Sequence, residues 1–596
     1  MKLILIGNRG VGKTALLQRL QIYHSLQKKQ ISVYDLDREI EKSVKTSIPE
    51  IFTHQGESAF RQLEIELAQQ LLRSPNVIVS LGAGFPLEAL PRDAETRVVW
   101  VRRRATDGLG RIFLDRPRLD AQLSPLAEFH QRRAHREQRY LEACDWIYDL
   151  PEGLAAPSVT ERQLFLDGFE DLGGILTLTA KHLERPNWFF QSAQYWGWDL
   201  IELRDDLLGI EQIRNVLQFL PPKQVLYSQR TTQWEHWREI RRNHPDVLAD
   251  CALELGAPTP EADIVSLHDR NPNESLSACL QRLADCQPRC SHLKLAIEVH
   301  DFAELEQVLN WQNLDLNRRS ILPRSSSGRW QWVRLWLKNR QLLNFVHSGF
   351  GDVPDQPSLS QWANTLSASP GGQHDFAAVL GFPVAHSHTP IEQGPFFKMH
   401  QASVFAIPLT ESEWAVGFPL LQKMGLKWAA VTSPLKNLAY QDSVTDDPVT
   451  DRLQAANTLV RLDGHLQSIN TDLFGITQLL ELAGTRGPTV IWGGGGTLAA
   501  LLEAAPDAVP YSSRTGEPRP GYAATEPETL IWAASPTAEL PSLTWRPRQV
   551  VDLNYREDSR AQEYCQKTGA RYFSGLIMFR SQAEAQRHFW EKYHGR

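Results

Sequence analysis

The sequence predicts an α/β chain in three successive segments, and three observations predict it. An apolar strand at residues 3–6 runs into Gly7-Asn8-Arg9-Gly10-Val11-Gly12-Lys13-Thr14 and then into a helical pattern. From Gly174 short apolar strands alternate with helical stretches, the arrangement expected of a (β/α)8 barrel. Near the end, residues 489–492 read as a strand feeding four consecutive glycines, Gly493 to Gly496, as a dinucleotide-binding βα unit does.

Length and composition bound what such a chain can do. A chain of 596 residues has room for about three to four domains, and 42% apolar with 22% charged residues is ordinary globular composition. A net charge of −7 argues against nucleic acid or an anionic membrane as partner, so basic clusters read as sites for small anions. The six cysteines lack metal-ligand spacing and point to a reducing compartment rather than a disulfide framework. Met1 leads directly into a core strand, so no signal peptide is expected, and no apolar run is long enough to span a bilayer. The expectation is a cytoplasmic protein acting on small molecules; its oligomeric state is open.

The first glycine loop has the spacing of a phosphate-binding P-loop. Backbone N–H groups freed by Gly10 and Gly12 close around phosphate oxygens, Lys13 reaches the β- and γ-phosphates, and the Thr14 hydroxyl is placed for Mg²⁺. Next, Val33-Tyr34-Asp35-Leu36-Asp37 reads as a strand whose two carboxylates share a face, suited to a hydrated Mg²⁺ and a substrate hydroxyl. Capping of a helix from Arg38 is the alternative. Phe60-Arg61 follows on a helix, then a buried-type strand ending in Gly82-Ala83-Gly84, then Arg116-Pro117, then Arg136 on a late helix. This set, in this order, resembles shikimate kinase over residues 1–155. The resemblance implies a P-loop kinase domain using ATP and Mg²⁺, with Asp35 toward the metal and Asp37, Arg61, Gly82, Gly84 and Arg136 around shikimate. Arg116 would belong to a lid over ATP. Ala83 stands where that family has a middle glycine.

In the barrel segment the strand ends carry the chemistry. Glu202 and Arg204 share a face of one strand, Arg230 follows the next, Glu254 the next, and His268 the one after. Lys294 lies inside an otherwise apolar strand, where burial lowers an amine's pKa and leaves a neutral nucleophile for a ketone. A strand-end lysine reaching back to water is the alternative. The order resembles type I 3-dehydroquinate dehydratase over residues 164–365. That resemblance implies a Schiff base on Lys294, His268 as base with Glu254 orienting it, and Glu202, Arg204, Arg230 and Gln356 on the substrate side. Two departures stand out: Asp355 replaces a glycine, and Gln331-Trp332 stands where the family has Ser-Arg, leaving Arg334 or no residue for the substrate carboxylate.

Residues 357–375 read as a linker. Beyond it come Ser387 and Thr389, Val431-Thr432 with Lys436, Asn457, Asp472, the glycine run, Arg514-Thr515 and Gln582. An arginine at the strand end after a glycine turn suits a 2′-phosphate, although a glycine-rich surface turn looks similar. The segment 376–596 resembles shikimate dehydrogenase, a two-domain α/β dehydrogenase with a Rossmann cofactor domain. The resemblance makes Lys436 and Asp472 the catalytic pair and assigns Ser387, Thr389, Thr432, Asn457 and Gln582 to substrate. Gly493, Gly495, Gly496, Arg514 and Thr515 fall to NADP(H). Ala430 and Trp532 depart from the family pattern.

Together the three resemble the C-terminal part of the fungal pentafunctional shikimate-pathway polypeptide. That implies a trifunctional enzyme carrying 3-dehydroquinate to 3-dehydroshikimate, shikimate and shikimate 3-phosphate. Quinate-pathway repressors resemble the same three domains in the same order, so a sensor with one or more inactive domains is the alternative reading.

Overall fold

The structure, a computed structural model, describes residues 2–8, 11–26, 31–91, 93, 95–102, 125–149, 173–184, 198–256, 262–347, 353–366, 375–384, 387–534, 538–555 and 559–593. Gly10 and Arg116 lie outside the described residues. The chain forms two compact units: residues 1–101, 140–148 and 157–374, and residues 102–139, 149–156 and 375–596.

The first unit holds two sheets. Strands β1 (Lys2–Ile6), β2 (Ser32–Asp35), β3 (Val77–Ser80), β4 (Thr96–Arg102) and β5 (Trp146–Asp149) form one, in the order β2-β3-β1-β4-β5. β1 runs parallel to β3 and β4, and Leu3 to Ile6 are buried because both faces of this inner strand are covered. Between neighbours lying to either side, the C-terminal end of β1 opens on a crevice, and there the P-loop begins.

Eight parallel strands make the second sheet: β6 (Ile175–Thr177), β7 (Leu200–Arg204), β8 (Val225–Gln229), β9 (Leu248–Ala252), β10 (Ile264–Leu267), β11 (His292–Leu295), β12 (Arg319–Ile321) and β13 (Phe345–Val346). They neighbour one another in chain order and β13 returns to pair with β6, so the sheet curls into a (β/α)8 barrel. Among the described residues no ladder joins β12 to β13. The buried amide of Gln341 stands in for one: it accepts from Ile321 N at 2.9 Å and donates to Ile321 O at 3.1 Å and Leu343 O at 2.9 Å. Ser320 Oγ accepts from Leu343 N at 3.1 Å across the same seam.

In the second unit, β14 (Phe376–Gly381), β15 (Val404–Pro408), β16 (Leu426–Val431), β17 (Thr458–Leu462) and β18 (His465–Ile469) form a mixed sheet in the order β15-β14-β16-β17-β18. A parallel sheet of β19 (Thr489–Gly493), β20 (Val509–Tyr511), β21 (Thr529–Ala533), β22 (Gln549–Asp552) and β23 (Arg571–Phe573) has the Rossmann-like order β20-β19-β21-β22-β23. No helix among the described residues is long and apolar enough to cross a membrane.

Because Gln341 supplies backbone-type bonds that no strand supplies, Gln341→Ala should destabilise the barrel by about 2–4 kcal/mol, the cost of leaving buried peptide groups unpaired. Hydrogen exchange of peptides spanning β12 and β13, compared with wild type, checks it; unchanged protection there would show that the seam does not depend on this side chain.

Candidate active sites

The first site is built where β1 ends. A Cβ on Gly7 (φ 149°) would lie 2.3 Å from the Val101 carbonyl oxygen, so only glycine lets the loop pass this close. Lys13 opens the helix Lys13–Leu26 and folds back over the loop, its Nζ donating to Gly7 O at 2.8 Å and Asn8 O at 3.0 Å. Its ammonium thus stands where phosphate oxygens would enter at a helix N-terminus. Thr14 Oγ1 donates to Asp35 Oδ2 at 2.8 Å. A cation held through phosphate oxygens and water needs only such a pair; among the described residues no cluster of three or more His, Cys, Asp or Glu could hold a metal by itself. The residues described therefore fit a nucleotide with Mg²⁺.

Asp35 and Asp37 do not share a strand face: β2 stops at Asp35, and Asp37 lies in the first turn of the helix Leu36–Val44. The acidic first turn suits the positive end of that helix, which is why the strand ends at once. Burial, reinforced by the charge of Asp35, pushes the Asp37 carboxyl up. Arg61, on the helix Ile48–Leu71, is held by Glu57 at 2.9 Å and by Glu64 at 2.5 Å. A Cβ on Gly84 would stand 2.3 Å from Arg61 Nη2, and one on Gly82 would stand 3.0 Å from Asp37 Oδ1, so these positions bring Arg61 and Asp37 to one place. Glu64 was not singled out in the sequence, yet it is fully buried, and burial raises its carboxyl to about 7. Its spacing three residues after Arg61 was the available signal. Ala83 is anchored by Tyr140, whose hydroxyl donates to its carbonyl at 2.7 Å. Arg136 is half-buried on the helix Pro125–Ala143.

In the barrel, Lys294 points inward from β11 and is 2% exposed. Its Nζ donates to Asp250 Oδ2 at 2.5 Å, lies 3.9 Å from Glu202 Oε1, and sits 4.8 Å from the centre of the Phe345 ring. Burial lowers its pKa, while the charge of Asp250 works the other way. Arg230 Nη2 donates to the same Asp250 oxygen at 2.7 Å and lies 3.7 Å from Glu202. Glu202 also accepts from Thr177 Oγ1 at 2.6 Å and Ser228 Oγ at 2.7 Å, and Arg204 is paired with Asp206 at 2.6 Å. Asp250 is thus the centre of the charge cluster, and the sequence reading passed it over. Its place in β9, two residues before Ala252 and facing the same way as the inward positions, was the signal.

His268 follows β10. Glu254, in the short turn Leu253–Leu255, accepts from the backbone N–H groups of His268 and Asp269, and its Oε2 lies 3.7 Å from His268 Nδ1. Burial lowers His268 to about 4, leaving a neutral imidazole near pH 7 able to take a proton. Asp355, in place of the family glycine, is fully buried and ties the loop before Gln356 to the barrel, accepting from Ser325 Oγ at 2.9 Å and Trp330 N at 2.7 Å. Arg334 is buried, with Nε on the carbonyl of Pro323 (3.1 Å) and Nη2 on that of Leu322 (3.3 Å), so two of its nitrogens are engaged by the main chain.

The third site is a cavity of about 170 Å³ in the second unit, lined among others by Ser387, Thr389, Thr432, Lys436, Asp472 and Gln582. Lys436 and Asp472 each open a helix, Lys436–Gln441 and Asp472–Ala483, and their side chains form an ion pair. Ser387 Oγ donates to Thr389 Oγ1 at 3.1 Å. Asn457 does not line the cavity: it is fully buried, and its amide donates to Asp472 Oδ1 at 2.9 Å and Thr471 Oγ1 at 3.0 Å. Ala430 lines the cavity, while Trp532 is turned into the core against Tyr564, with ring centres 6.3 Å apart. Gly493, Gly494 and Gly495 all have positive φ (97°, 108° and 44°), so the turn after β19 can present backbone N–H groups to a pyrophosphate. Gly496 continues this turn, and Arg514 and Thr515 are exposed beyond β20. These residues fit a dinucleotide carrying an additional phosphate.

The shikimate kinase family model matches residues 9–161. A shikimate kinase of Stenotrophomonas maltophilia (strain R551-3) is 33% identical over 163 residues, 27% of this chain and 88% of that protein. An NADP(+) shikimate dehydrogenase of Acidiphilium cryptum (strain JF-5) is 34% identical over 144 residues, 23% of this chain and 51% of that protein, so about half of that relative's length is spanned. The solved dehydroquinate dehydratase and shikimate dehydrogenase of S. pombe AroM overlaps 70% of this chain and 96% of its own at 17% identity, with a TM-score of 0.28.

Burial holds three barrel histidines, His182, His268 and His292, at about 4. The unfolded chain protonates histidine near pH 6.5, so between about 6.5 and 4 it binds more protons and the fold loses stability as pH falls. Glu254, lowered to about 2, extends the loss below the ordinary carboxylate range. Hydrogen exchange of barrel peptides should show the opening free energy falling by on the order of several kcal/mol between pH 7 and 4.5; a flat profile would contradict it.

Proposed function

This chain belongs to the shikimate kinase family through its N-terminal segment, and from that premise we propose a trifunctional shikimate-pathway enzyme divided at 1–155, 164–365 and 376–596. It converts 3-dehydroquinate to 3-dehydroshikimate, then to shikimate, then to shikimate 3-phosphate. The observation that carries the reading is Lys294: an amine almost wholly buried, bonded to Asp250 and electrostatically coupled to His268, in a barrel whose residues follow the kinase segment and precede the Lys436–Asp472 pair in sequence.

In the dehydration, Lys294 forms an imine with the ketone, and the neutral His268, steadied by Glu254, takes the adjacent proton. Glu202, Arg204, Arg230 and Gln356 surround the substrate. In the reduction, the Lys436 ammonium, held by Asp472, gives its proton to the carbonyl oxygen while Ser387, Thr389 and Gln582 orient the ring substituents. NADPH supplies the hydride when bound. In the phosphorylation, Lys13 would hold the phosphates and Thr14 with Asp35 the cation, while Asp37 with Arg61 holds the acceptor. ATP with Mg²⁺ supplies the phosphoryl group when bound.

The rival reading, a quinate-repressor-like sensor, is favoured by one observation: Arg334 is committed to main-chain carbonyls and Gln331-Trp332 offers no cation in its place. Three separate assays on the full chain decide between them, since a sensor binds the ligands without turnover.

Each segment carries its own catalytic groups. Lys294→Ala should therefore abolish flux from 3-dehydroquinate while phosphorylation of added shikimate stays near wild type, and Lys13→Ala should do the reverse, each by at least about three orders of magnitude in kcat. Loss of phosphorylation in a folded Lys294→Ala chain would overturn the division. For the reduction, Arg514→Ala should weaken NADPH by about 10- to 100-fold, the value of a charged hydrogen bond, and leave NADH nearly unchanged. Equal losses for both cofactors would place the 2′-phosphate elsewhere.

A further inference from the structure

Schiff-base chemistry needs a neutral amine, whereas Lys294 is held among charges. Facing it are Asp250 on β9, Glu202 on β7, Arg230 after β8 and, above, His268 after β10. Burial alone cannot deliver the free amine here, because the carboxylate 2.5 Å away stabilises the ammonium. The proton must therefore have somewhere to go as the ketone arrives.

We propose that Asp250 is the proton acceptor that frees Lys294 for attack and the acid that returns the proton when water leaves; this rests on the dehydratase reading of the same site. Asp250 is fully buried, and its Oδ2 is shared by Lys294 Nζ and Arg230 Nη2 (2.7 Å), with Ser228 Oγ at 3.4 Å. Its Oδ1 is buried with no hydrogen-bond partner, an acceptor with nothing on it. Burial raises this carboxyl, but the charges of Arg230 and Lys294 hold it well below the ordinary range while both stay in place. His268 is less directly placed: its Nδ1 lies 3.7 Å from Glu254, whereas Asp250 accepts a hydrogen bond from the amine itself. A substrate whose hydroxyl or carboxylate draws Arg230 away removes the main counter-charge from Asp250, and the carboxyl then gains from accepting the Lys294 proton.

The step balances. One N–H bond of the Lys294 ammonium breaks and its proton goes to the Asp250 carboxylate. The amine lone pair forms the C–N bond as the carbonyl π pair moves to oxygen. A second proton passes from nitrogen to that oxygen, giving the carbinolamine. The Asp250 carboxyl then returns its proton to the hydroxyl, which leaves as water, and the nitrogen lone pair closes the iminium. Asp250 ends as it began.

The test is borohydride trapping of the Lys294 imine with 3-dehydroquinate, read by peptide mass in the full chain across pH 5.5 to 10. Asp250→Asn should trap at least 100-fold more slowly near pH 7, with the rate climbing steeply as pH rises, and Asp250→Glu should restore the wild-type profile to within about tenfold. Should Asp250→Asn fail to fold, Asp250→Ala with added formate replaces it; trapping that rises with formate supports the proton role, since packing alone would not respond. Trapping in the wild type with an unshifted rate and pH profile in the variant overturns the proposal alone. An unmodified Lys294 in the wild type at every pH overturns the dehydratase reading, and the proposal with it.

Discussion

A charge carried into a dry interior must bring its partner with it, and each of the three sites is organised around such a pair. Lys294 is paired with Asp250 across the barrel, Lys436 with Asp472 between two helix starts, and Arg61 with Glu64 along one helix. Removing one member of a buried pair leaves the other uncompensated at a cost of about 3–5 kcal/mol, far more than either contributes as a surface ion. Fold and chemistry are therefore tied at the same atoms. Asp250 illustrates it most fully, since one carboxylate oxygen answers to a lysine from β11 and an arginine from the end of β8, fixing the relative positions of three strands.

Much of this was legible in the sequence because it is local. The P-loop is a run of adjacent residues, and its strand, Gly7, Gly12 and helix start lie where the spacing puts them. Lys294 announced itself by being a lysine among apolar residues, and its lowered pKa follows from that burial. What was missed is non-local. Asp250 carries only the weak local mark of an inward strand position; its meaning comes from partners 20 and 44 residues away. Gln341 was invisible for the same reason, as it closes a seam whose other side is β12. Asp37 failed differently: a single dihedral change after Asp35 turned a strand position into a helical one, and no periodicity resolves a two-residue interval.

Departures from the resembled families carry their own information. Asp355, in a position where the resembled dehydratases have glycine, accepts from Ser325 and Trp330 and holds that loop against the barrel. Trp532, a departure from the resembled pattern, is a core residue packed among the buried side chains of the last sheet. A substituted residue thus has to be judged by the direction its strand or loop gives it, not by its size.

Asn457 sharpens that point. The resemblance places it against a substrate hydroxyl, whereas its amide is spent within the protein. Nδ2 reaches Asp472 Oδ1 and Thr471 Oγ1, and Oδ1 accepts from Thr471 N at 2.9 Å and Thr458 Oγ1 at 2.8 Å. Asp472 is then fixed at both oxygens, by Asn457 on one and Lys436 on the other. A carboxylate that cannot rotate holds the ammonium in one direction, and that direction is the cavity both residues line. Ser387, Thr389, Thr432 and Gln582 line that cavity directly, while Asn457 acts at one remove by keeping the Asp472–Lys436 pair aimed into it.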